Sequence, residues 1–250
     1  MDNYIVSARK YRPSTFKSVV GQKALTATLK NSIESERLAH AYLFCGSRGV
    51  GKTSCARIFA KTINCQHRTA DGDACNECQS CREFNEGRSM NIVELDAASN
   101  NSVDDIRALV DQVLVPPTNG RYRVFIVDEV HMLSTGAFNA LLKTLEEPPA
   151  HVVFILATTE LHKLPATIIS RCQRFDFRRI AVDTIAARLQ HIAEAESMEL
   201  DETAAKMLAK QAQGGMRDAI SLFELCGGGG QAVTAERVSE VLGLTGIETV

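Results

Sequence analysis

A glycine-rich loop between an apolar run and a helical pattern restricts this chain to very few folds. The loop, Gly46-Ser47-Arg48-Gly49-Val50-Gly51-Lys52-Thr53, matches G-x-x-x-x-G-K-[ST] and directly follows the strand-like run Tyr42–Cys45. Glycines at these positions let consecutive backbone N–H groups surround a phosphate at the positive end of a helix. A turn without a ligand would explain the glycines but not the lysine and threonine beside them. The sequence therefore predicts a nucleotide-binding loop.

Within this loop, two side chains have chemical roles of their own. We predict that Lys52 reaches the β- and γ-phosphates of the nucleotide and that the Thr53 hydroxyl holds Mg²⁺. The residues of this segment predicted to bind the nucleotide are Gly46, Ser47, Arg48, Gly49, Val50, Gly51, Lys52, Thr53 and Ser54.

A second apolar run ends in two carboxylates. Val124–Val127 supplies four apolar residues, and Asp128 and Glu129 follow them directly. Downstream of a phosphate-binding loop, this pattern predicts that Asp128 holds Mg²⁺ through water and that Glu129 polarises the attacking water as a general base. Lys52 and Mg²⁺ would offset the charge of phosphoryl transfer. The alternative is a solvated strand end.

Short apolar runs alternate with amphipathic stretches over about the first 180 residues. The runs are Ala41–Cys45, Ile92–Leu95, Val124–Val127 and Val152–Ala157. This alternation predicts an α/β fold with a parallel sheet. Ser102 and Asp105 have the spacing of a capping box, which predicts the start of a helix that Pro116 and Pro117 stop.

The pattern changes after about Phe177, where the β-branched runs cease and helical patterns follow. These patterns begin at the predicted caps Asp183 and Asp201, near Met216 and at the cap Thr234, and the third ends at Gly227–Gly230. We therefore predict an α/β domain at 1–179 and a helical domain at 180–250.

Four of the eight cysteines lie close together in the sequence, as Cys65-x9-Cys75-x2-Cys78-x2-Cys81. This spacing lets four thiolates close a tetrahedral Zn²⁺ site, and a site with four protein ligands is structural rather than catalytic. We predict a zinc module at about 64–82, stapled by the metal because it has little core of its own. An iron–sulfur cluster, free thiols and disulfides are the alternatives.

Composition excludes several classes of protein. A hydrophobic content of 45% and a charged content of 23% are near the globular average, which excludes a disordered or collagen-like chain. The net charge of −2 excludes a global polycation but not a local basic patch. No apolar run approaches the ~20 residues of a membrane span, and the first twenty residues lack the apolar region of a secretory signal. We expect a cytoplasmic protein with no membrane partner.

Further motifs extend along the chain. They are Ala8-Arg9-Lys10-Tyr11-Arg12-Pro13, Val19-Val20-Gly21-Gln22, Asp96-Ala97-Ala98-Ser99, the run from Asn139 to Pro149, Ala157-Thr158-Thr159, Ser170-Arg171-Cys172 and Gly215-Met216-Arg217-Asp218-Ala219. Together with the loop, the acidic pair and the cysteines, they make the chain similar to the tau/gamma (DnaX) family of clamp-loader ATPases of bacterial DNA polymerase III. Such continuous coverage is far more specific than the phosphate-binding loop alone.

The resemblance implies an architecture and a set of partners. The implied fold is an AAA+ P-loop NTPase, in which the parallel sheet carries a zinc-binding insertion and is followed by a small all-helical lid domain. The implied cofactors are ATP, Mg²⁺ and Zn²⁺. The implied setting is a five-subunit ring that opens the sliding clamp and loads it on primed DNA. Its partners would be the delta and delta-prime subunits and further tau/gamma copies.

The resemblance also implies roles for five residues. Thr159 corresponds to sensor 1, near the γ-phosphate, and Arg217 to sensor 2, contributed by the lid. Arg171 corresponds to the arginine finger that completes the site of a neighbouring subunit. Arg12 and Val20 belong to the segment that resembles the part packing on adenine. Considered without the family, Arg171 would be a solvated surface charge, and Arg217 would pair with Asp218 or solvent.

Two other functions compete with this one. The first is a non-hydrolysing AAA+ scaffold subunit, against which Lys52, Thr53 and Glu129 argue. The second is a Holliday-junction motor, which shares Ala-Thr-Thr and an Asp-Glu strand end but which the cysteine insertion disfavours.

Family members continue into a helical collar, whereas this sequence ends at Val250. We expect it to be a fragment covering the first two domains. Asn100, Asn101 and Ser102 are candidates for a DNA phosphate contact, because helix N–H groups favour anions. An ordinary helix cap is the alternative.

Overall fold

The computed structural model describes residues 10–228 and 230–244, which form two compact units. The first unit comprises Pro13–Gly46 and Lys52–Phe177. The second unit comprises the described residues of Met1–Arg12, Ser47–Gly51 and Arg178–Val250. The second unit thus takes in part of the phosphate-binding loop, and the boundary between residues 179 and 180 stays a proposal.

Some sequence predictions fall on residues that are not described. They are Ala8 and Arg9 of the first motif, the remainder of 1–9 and 245–250 in the two proposed domains, and Gly229 of the predicted helix stop; all lie outside the described residues.

A five-stranded parallel sheet forms the centre of the first unit. Its strands are β1 (Ala41–Cys45), β2 (Ile92–Asp96), β3 (Arg123–Asp128), β4 (Val152–Thr158) and β5 (Gln173–Asp176). Their order is β2-β3-β4-β1-β5, and each neighbouring pair is parallel. The four predicted strands are confirmed. β1 and β4 are buried along their whole length, as expected for apolar runs covered on both faces.

β5 is the strand that the sequence did not predict. It lies at the edge of the sheet beside β1, and only Phe175 of its four residues is buried. An edge strand has one neighbour and can expose polar side chains, so its sequence lacks the continuous apolar run of β1 or β4.

Helices cover both faces of this sheet. Those of the first unit are α1 (Lys23–Glu34), α2 (Lys52–Asn64), α3 (Gln79–Asn85), α4 (Val103–Asp111), α5 (Thr135–Glu146) and α6 (Ala166–Ile169). On one face, Ile106 of α4 and Leu141 of α5 pack with Phe125 and Phe154, whose stacked ring centroids are 5.4 Å apart. On the other face, Phe59 of α2 meets Tyr42 edge-on at 4.8 Å. Each such buried side chain stabilises the fold by about 1.5–3 kcal/mol.

The capping box predicted at the start of α4 is confirmed. The Ser102 hydroxyl accepts the Asp105 N–H at 3.2 Å, and the Asp105 carboxylate accepts the Ser102 N–H at 3.0 Å. The helix ends at Asp111, and a 3₁₀ turn at Gln112–Leu114 follows it, so the α-helical pattern stops before Pro116 is reached.

The second unit is helical between Val182 and Leu242. Its helices are α7 (Val182–Ala195), α8 (Glu202–Gln211), α9 (Met216–Cys226) and α10 (Ala235–Leu242). The predicted starts at Asp201, Met216 and Thr234 are confirmed, and Thr234 accepts the Arg237 N–H. In the described part of the chain, no helix combines the length and apolar character that crossing a bilayer requires.

The predicted cap at Asp183 is wrong. α7 begins at Val182, its N-cap is Ala181, and Asp183 lies inside the first turn. A carboxylate is favourable at either position, since both are near the positive end of the helix, and the sequence signal for the two is therefore the same.

Gly214 separates α8 from α9. Its φ is +88°, and a Cβ there would lie 2.6 Å from Cβ of Arg179. A side chain would meet both backbone strain and a clash, which explains the stop between these helices.

We predict that Ser102→Ala lowers the free energy of unfolding of the first unit by about 1 kcal/mol, because α4 loses its N-cap. The hydroxyl and N–H of Ser102 lower the pKa of Asp105, so this pKa should rise toward its ordinary value in the variant. A carboxyl group whose pKa is lowered by folding contributes stability that is fully present above its ordinary pKa. That contribution is lost as the pH falls through the lowered pKa. The variant should therefore show a weaker pH dependence of stability in that acidic range.

Chemical denaturation followed by circular dichroism, with the Asp105 pKa from NMR titration, provides the measurement. Thr28→Ala is the control, because its exposed hydroxyl bonds only to the Ala24 carbonyl within α1. Equal losses of stability in the two variants would contradict the assigned role of the capping box.

Candidate functional site

The glycines of the phosphate-binding loop adopt conformations that other residues avoid. Gly49 has φ +76° and Gly51 has φ +102°. In the first unit, Gly46 donates its N–H to the Thr158 carbonyl at 3.2 Å, and a Cβ at Gly46 would lie 2.7 Å from the carbonyl oxygen of Phe177. The glycines are therefore required by the backbone path, which leaves amide groups rather than side chains to line the loop.

Lys52 is the first residue of α2 and is only 6% exposed. Its Nζ donates to the carbonyl oxygen of Gly46 at 2.8 Å. Burial lowers the pKa of Lys52, and the nearby charges of Glu129 and Asp128 oppose that effect. The structure thus brings the predicted phosphate-binding lysine near both predicted carboxylates.

Thr53 and Asp128 meet directly. The Thr53 hydroxyl donates to Oδ2 of Asp128 at 2.5 Å, and Oδ1 of the same carboxylate accepts the Glu129 N–H at 3.0 Å. A hydroxyl and a carboxylate at this separation form a donor set of oxygens, which is what Mg²⁺ prefers. These two residues fit the predicted magnesium role.

Glu129 occupies the turn that follows β3, with a left-handed backbone at φ 49°. Its Oε2 accepts a hydrogen bond of 3.0 Å from the hydroxyl of Thr159, the residue after β4. β3 and β4 are parallel neighbours, so their carboxyl ends lie at the same edge of the sheet. The structure brings the predicted base and the predicted sensor 1 into contact.

Three further polar residues lie at this edge and were not predicted as site residues. They are His131, Thr158 and Glu160. His131 Nδ1 lies 2.9 Å from the Thr158 hydroxyl, and its Nε2 lies 3.4 Å from Oε2 of Glu160. His131 follows the acidic pair by two positions and Thr158 belongs to the motif Ala157-Thr158-Thr159, but the contact between them is fixed by strand pairing rather than by local sequence.

Arg171 has different neighbours. Its guanidinium pairs with Glu146 of α5 at 2.5 Å and donates to the Thr167 carbonyl of α6 at 2.8 Å. The Arg171 side chain is 32% exposed. It is therefore held at the surface by two helices, and its partners are not those of Glu129.

The remaining predicted residues are described within their own units. In the first unit, Val20 is half-buried and follows the 3₁₀ turn Phe16–Ser18 in the sequence. In the second unit, Arg12 is exposed, and Arg217 is exposed in the first turn of α9. The N–H of Met216 donates to the Gly49 carbonyl at 2.9 Å, which joins the start of α9 to the loop.

The four clustered cysteines come together as predicted. The Sγ atoms of Cys65, Cys75, Cys78 and Cys81 all lie within 4.8 Å of one another. Four thiolates at about 2.3 Å from one Zn²⁺ would be separated by about 3.8 Å in a tetrahedron, so the cluster fits zinc with a small contraction. Cys65 follows α2, Cys78 caps α3 and Cys81 lies within α3.

Backbone amides surround these sulfurs. The Sγ of Cys75 accepts the N–H groups of Cys78 at 3.2 Å and of Glu77 at 3.4 Å, and Cys65 accepts the Cys75 N–H at 3.3 Å. Burial raises the pKa of Cys75, but these amide donors and the neighbouring thiols outweigh it and lower the pKa to about 6. A thiolate in this cluster is thus stabilised by the protein itself.

Polar contacts anchor the insertion to the rest of the first unit. Lys61 of α2 is 4% exposed and donates to the side-chain oxygens of Asn76 at 2.7 Å and Asn85 at 3.3 Å. Buried Asp73 accepts the N–H of Phe16 at 2.9 Å. The insertion has a small apolar cluster formed largely by the cysteines, which agrees with a module that depends on a metal.

An all-parallel sheet, with a phosphate-binding loop after β1 and an acidic pair after β3, defines the fold as that of a P-loop NTPase of the AAA+ class. The Thermotoga maritima RuvB Holliday junction branch migration motor has the same fold: a TM-score of 0.69 at 20% identity, covering 93% of this chain and 72% of that one. At this identity the likeness concerns the fold alone.

Sequence comparison identifies the family. Residues 21–181 match the profile of the DNA polymerase III delta subunit, and residues 184–225 match the ATPase lid domain of the DNA polymerase III clamp loader subunit. The chain belongs to the tau/gamma family of DNA polymerase III subunits.

Three relatives illustrate the match. The tau subunit of Bacillus subtilis is 53% identical over 222 residues, covering 89% of this chain and 39% of that protein. The tau subunit of Escherichia coli is 48% identical over 243 residues, covering 96% and 38%. The gamma subunit of Buchnera aphidicola subsp. Acyrthosiphon pisum is 42% identical over 243 residues, covering 97% and 67%. The chain thus spans less than two fifths of the length of these tau relatives.

We predict one Zn²⁺ per chain after purification, and a loss of most of that zinc in Cys78→Ser, because a thiolate ligand is replaced by a poor one. Chelation should open the 64–82 insertion first, since binding of a structural metal is coupled to local folding. Elemental analysis and limited proteolysis provide the measurements.

Cys172→Ser is the matched control, because Cys172 packs against the core outside the cluster. Purified protein without zinc, or with iron and visible absorbance, would contradict a zinc module.

Proposed function

We propose that this chain binds and hydrolyses ATP as part of a subunit of the replicative clamp loader of DNA polymerase III. The observation that carries the proposal is the pair of contacts at adjacent strand ends: Thr53 with Asp128 at 2.5 Å and Thr159 with Glu129 at 3.0 Å. The first contact brings together two oxygen ligands suited to Mg²⁺, and the second orients the carboxylate of Glu129 by a hydroxyl. The buried Lys52 lies near both carboxylates. Membership of the tau/gamma family supports the same function.

In the proposed reaction, loop amides of Gly46–Ser54 and the Lys52 ammonium hold the phosphates of ATP. Thr53 and Asp128 would hold Mg²⁺, which neutralises charge on the β- and γ-phosphates when it is bound. Glu129 accepts a proton from water as the water oxygen bonds to the γ-phosphorus and the bond to the β-phosphate oxygen breaks. The products are ADP and inorganic phosphate.

Two arginines have proposed roles that follow the family. Arg217, at the start of α9, would act as sensor 2. Arg171 would act as the arginine finger for a neighbouring subunit, and its partial exposure supports a role outside its own chain. Arg12 and Val20 remain candidates for the adenine contact.

The proposed setting follows from the family resemblance rather than from the geometry. The chain would work in the cytoplasm with delta, delta-prime and further tau/gamma subunits, and would use ATP to open the sliding clamp and load it on primed DNA. Asn100, Asn101 and Ser102 stay candidates for a DNA phosphate contact. The RuvB likeness gives little support to the Holliday-junction alternative, because 20% identity concerns the fold, whereas the tau relatives reach 48–53%.

We predict that Glu129→Gln leaves ATP affinity within about twofold and lowers turnover by about 10²–10⁴, since the variant keeps the shape but loses the proton acceptor. Turnover is measured in the assembly reconstituted with its partner subunits, and affinity by nucleotide titration. Lys52→Ala should instead weaken binding about tenfold or more, because a charge-assisted contact to phosphate is lost.

Glu34→Gln, at the exposed end of α1, is the control for the loss of one carboxylate. Wild-type turnover in Glu129→Gln would show that another group is the base.

We predict that Arg171→Ala slows ATP hydrolysis in the neighbouring subunit, by a factor of up to about 10³–10⁵. The subunit that carries the substitution should bind ATP normally. An arginine finger stabilises charge in the transition state, so the loss falls on turnover in the site that it faces. Mixed assemblies with the variant beside a wild-type subunit provide the measurement, and Arg88→Ala, at a 70% exposed side chain, is the control. A defect confined to the mutated subunit's own site would contradict the trans-acting role.

A further inference from the structure

His131 has an unusual position for a residue that the proposed reaction does not use. It lies in the 3₁₀ turn Val130–Met132 immediately after Glu129, and its side chain is only 6% exposed. Its ring nitrogens face the end of β4, where Thr158 is fully buried. A nearly buried imidazole needs partners for both nitrogens, and here both partners belong to one short segment.

Both ring nitrogens of this imidazole have a polar neighbour. Nε2 faces the carboxylate of Glu160, which Lys163 contacts at 2.5 Å and whose pKa Lys163 lowers, so that carboxylate is an acceptor only. Nε2 therefore lies 3.4 Å from an acceptor. The Thr158 hydroxyl accepts the Glu160 N–H at 3.0 Å and forms a hydrogen bond of 2.9 Å with Nδ1 of His131. Thr158, His131 and Glu160 form a closed ring of contacts.

This ring fixes the residue that lies within it. Thr159 stands between Thr158 and Glu160, and both of these neighbours are tied to His131. The Thr159 hydroxyl donates to Oε2 of Glu129 at 3.0 Å. Nδ1 of His131 lies farther from the same oxygen, at 3.4 Å. The carboxylate of Glu129 is thus oriented by the Thr159 hydroxyl, the nearer of its two neighbours from this ring.

We propose that His131 is a positioning residue for ATP hydrolysis, which holds segment 158–160 so that Thr159 orients the carboxylate of Glu129. This inference rests on the proposed function, because it concerns the rate of the same reaction. His131 acts through Thr159, whose hydroxyl is nearer to Oε2 of Glu129 than Nδ1 of His131 is.

The test uses ATP turnover and ATP affinity in the assembly reconstituted with its partner subunits. His131→Phe keeps a ring and removes both nitrogens, and we expect kcat to fall about tenfold with ATP affinity within about twofold. His131→Asn can still meet Thr158, and His131→Gln can still reach Glu160, so both should recover part of the rate. His162→Phe, at an exposed histidine of the neighbouring 3₁₀ turn Leu161–Lys163, should change neither quantity.

A double-mutant cycle separates positioning from a general effect on structure. In a Thr159→Val background the hydroxyl that links the segment to Glu129 is absent, and His131→Phe should then lower kcat by no more than about twofold. A full tenfold loss in that background, or wild-type kcat in His131→Phe, would overturn the inference while leaving the proposed function intact. Absence of hydrolysis in the wild-type assembly would overturn both.

Discussion

The parallel pairing of β1, β3 and β4 is the constraint on which the candidate site depends. Cys45 pairs with Thr158 and Val127 with Leu156, so the three strands end at one edge of the sheet. A shift of one residue would turn every side chain of a strand to the opposite face and would break the close packing against the helices that cover both faces. Burial of these strands therefore fixes the relative positions of Gly46, the acidic pair and segment 158–160.

The sequence predicted those parts of the fold whose signal is local or continuous. The central strands are apolar at every position because helices cover both faces, and α4 has a capping box within four residues. β5 was not predicted because it is an edge strand in which only Phe175 is buried, so its sequence has no apolar run. The start of α7 was misplaced by two residues, since Asp183 stabilises the helix end from inside the first turn as well as from the cap.

The same distinction explains the site. Lys52 and Thr53, like Asp128 and Glu129, are adjacent in sequence, and their chemistry could be predicted from spacing alone. The contacts of Glu129 with Thr159 and of His131 with Thr158 join residues about thirty positions apart through the register of β3 and β4. The Glu146 partner of Arg171 likewise depends on how α5 and α6 pack. No periodicity or motif carries that information.

Helix α2 connects the phosphate-binding loop to the cysteine cluster. It begins with the lysine and threonine of the phosphate-binding loop, and the first cysteine of the cluster follows its last residue, Asn64. Its 13 residues form a stiff rod about 20 Å long. A tilt of about 5° at the loop would move the far end by almost 2 Å over that length. A movement of the helix at the phosphate-binding loop would therefore be transmitted to the cysteine insertion.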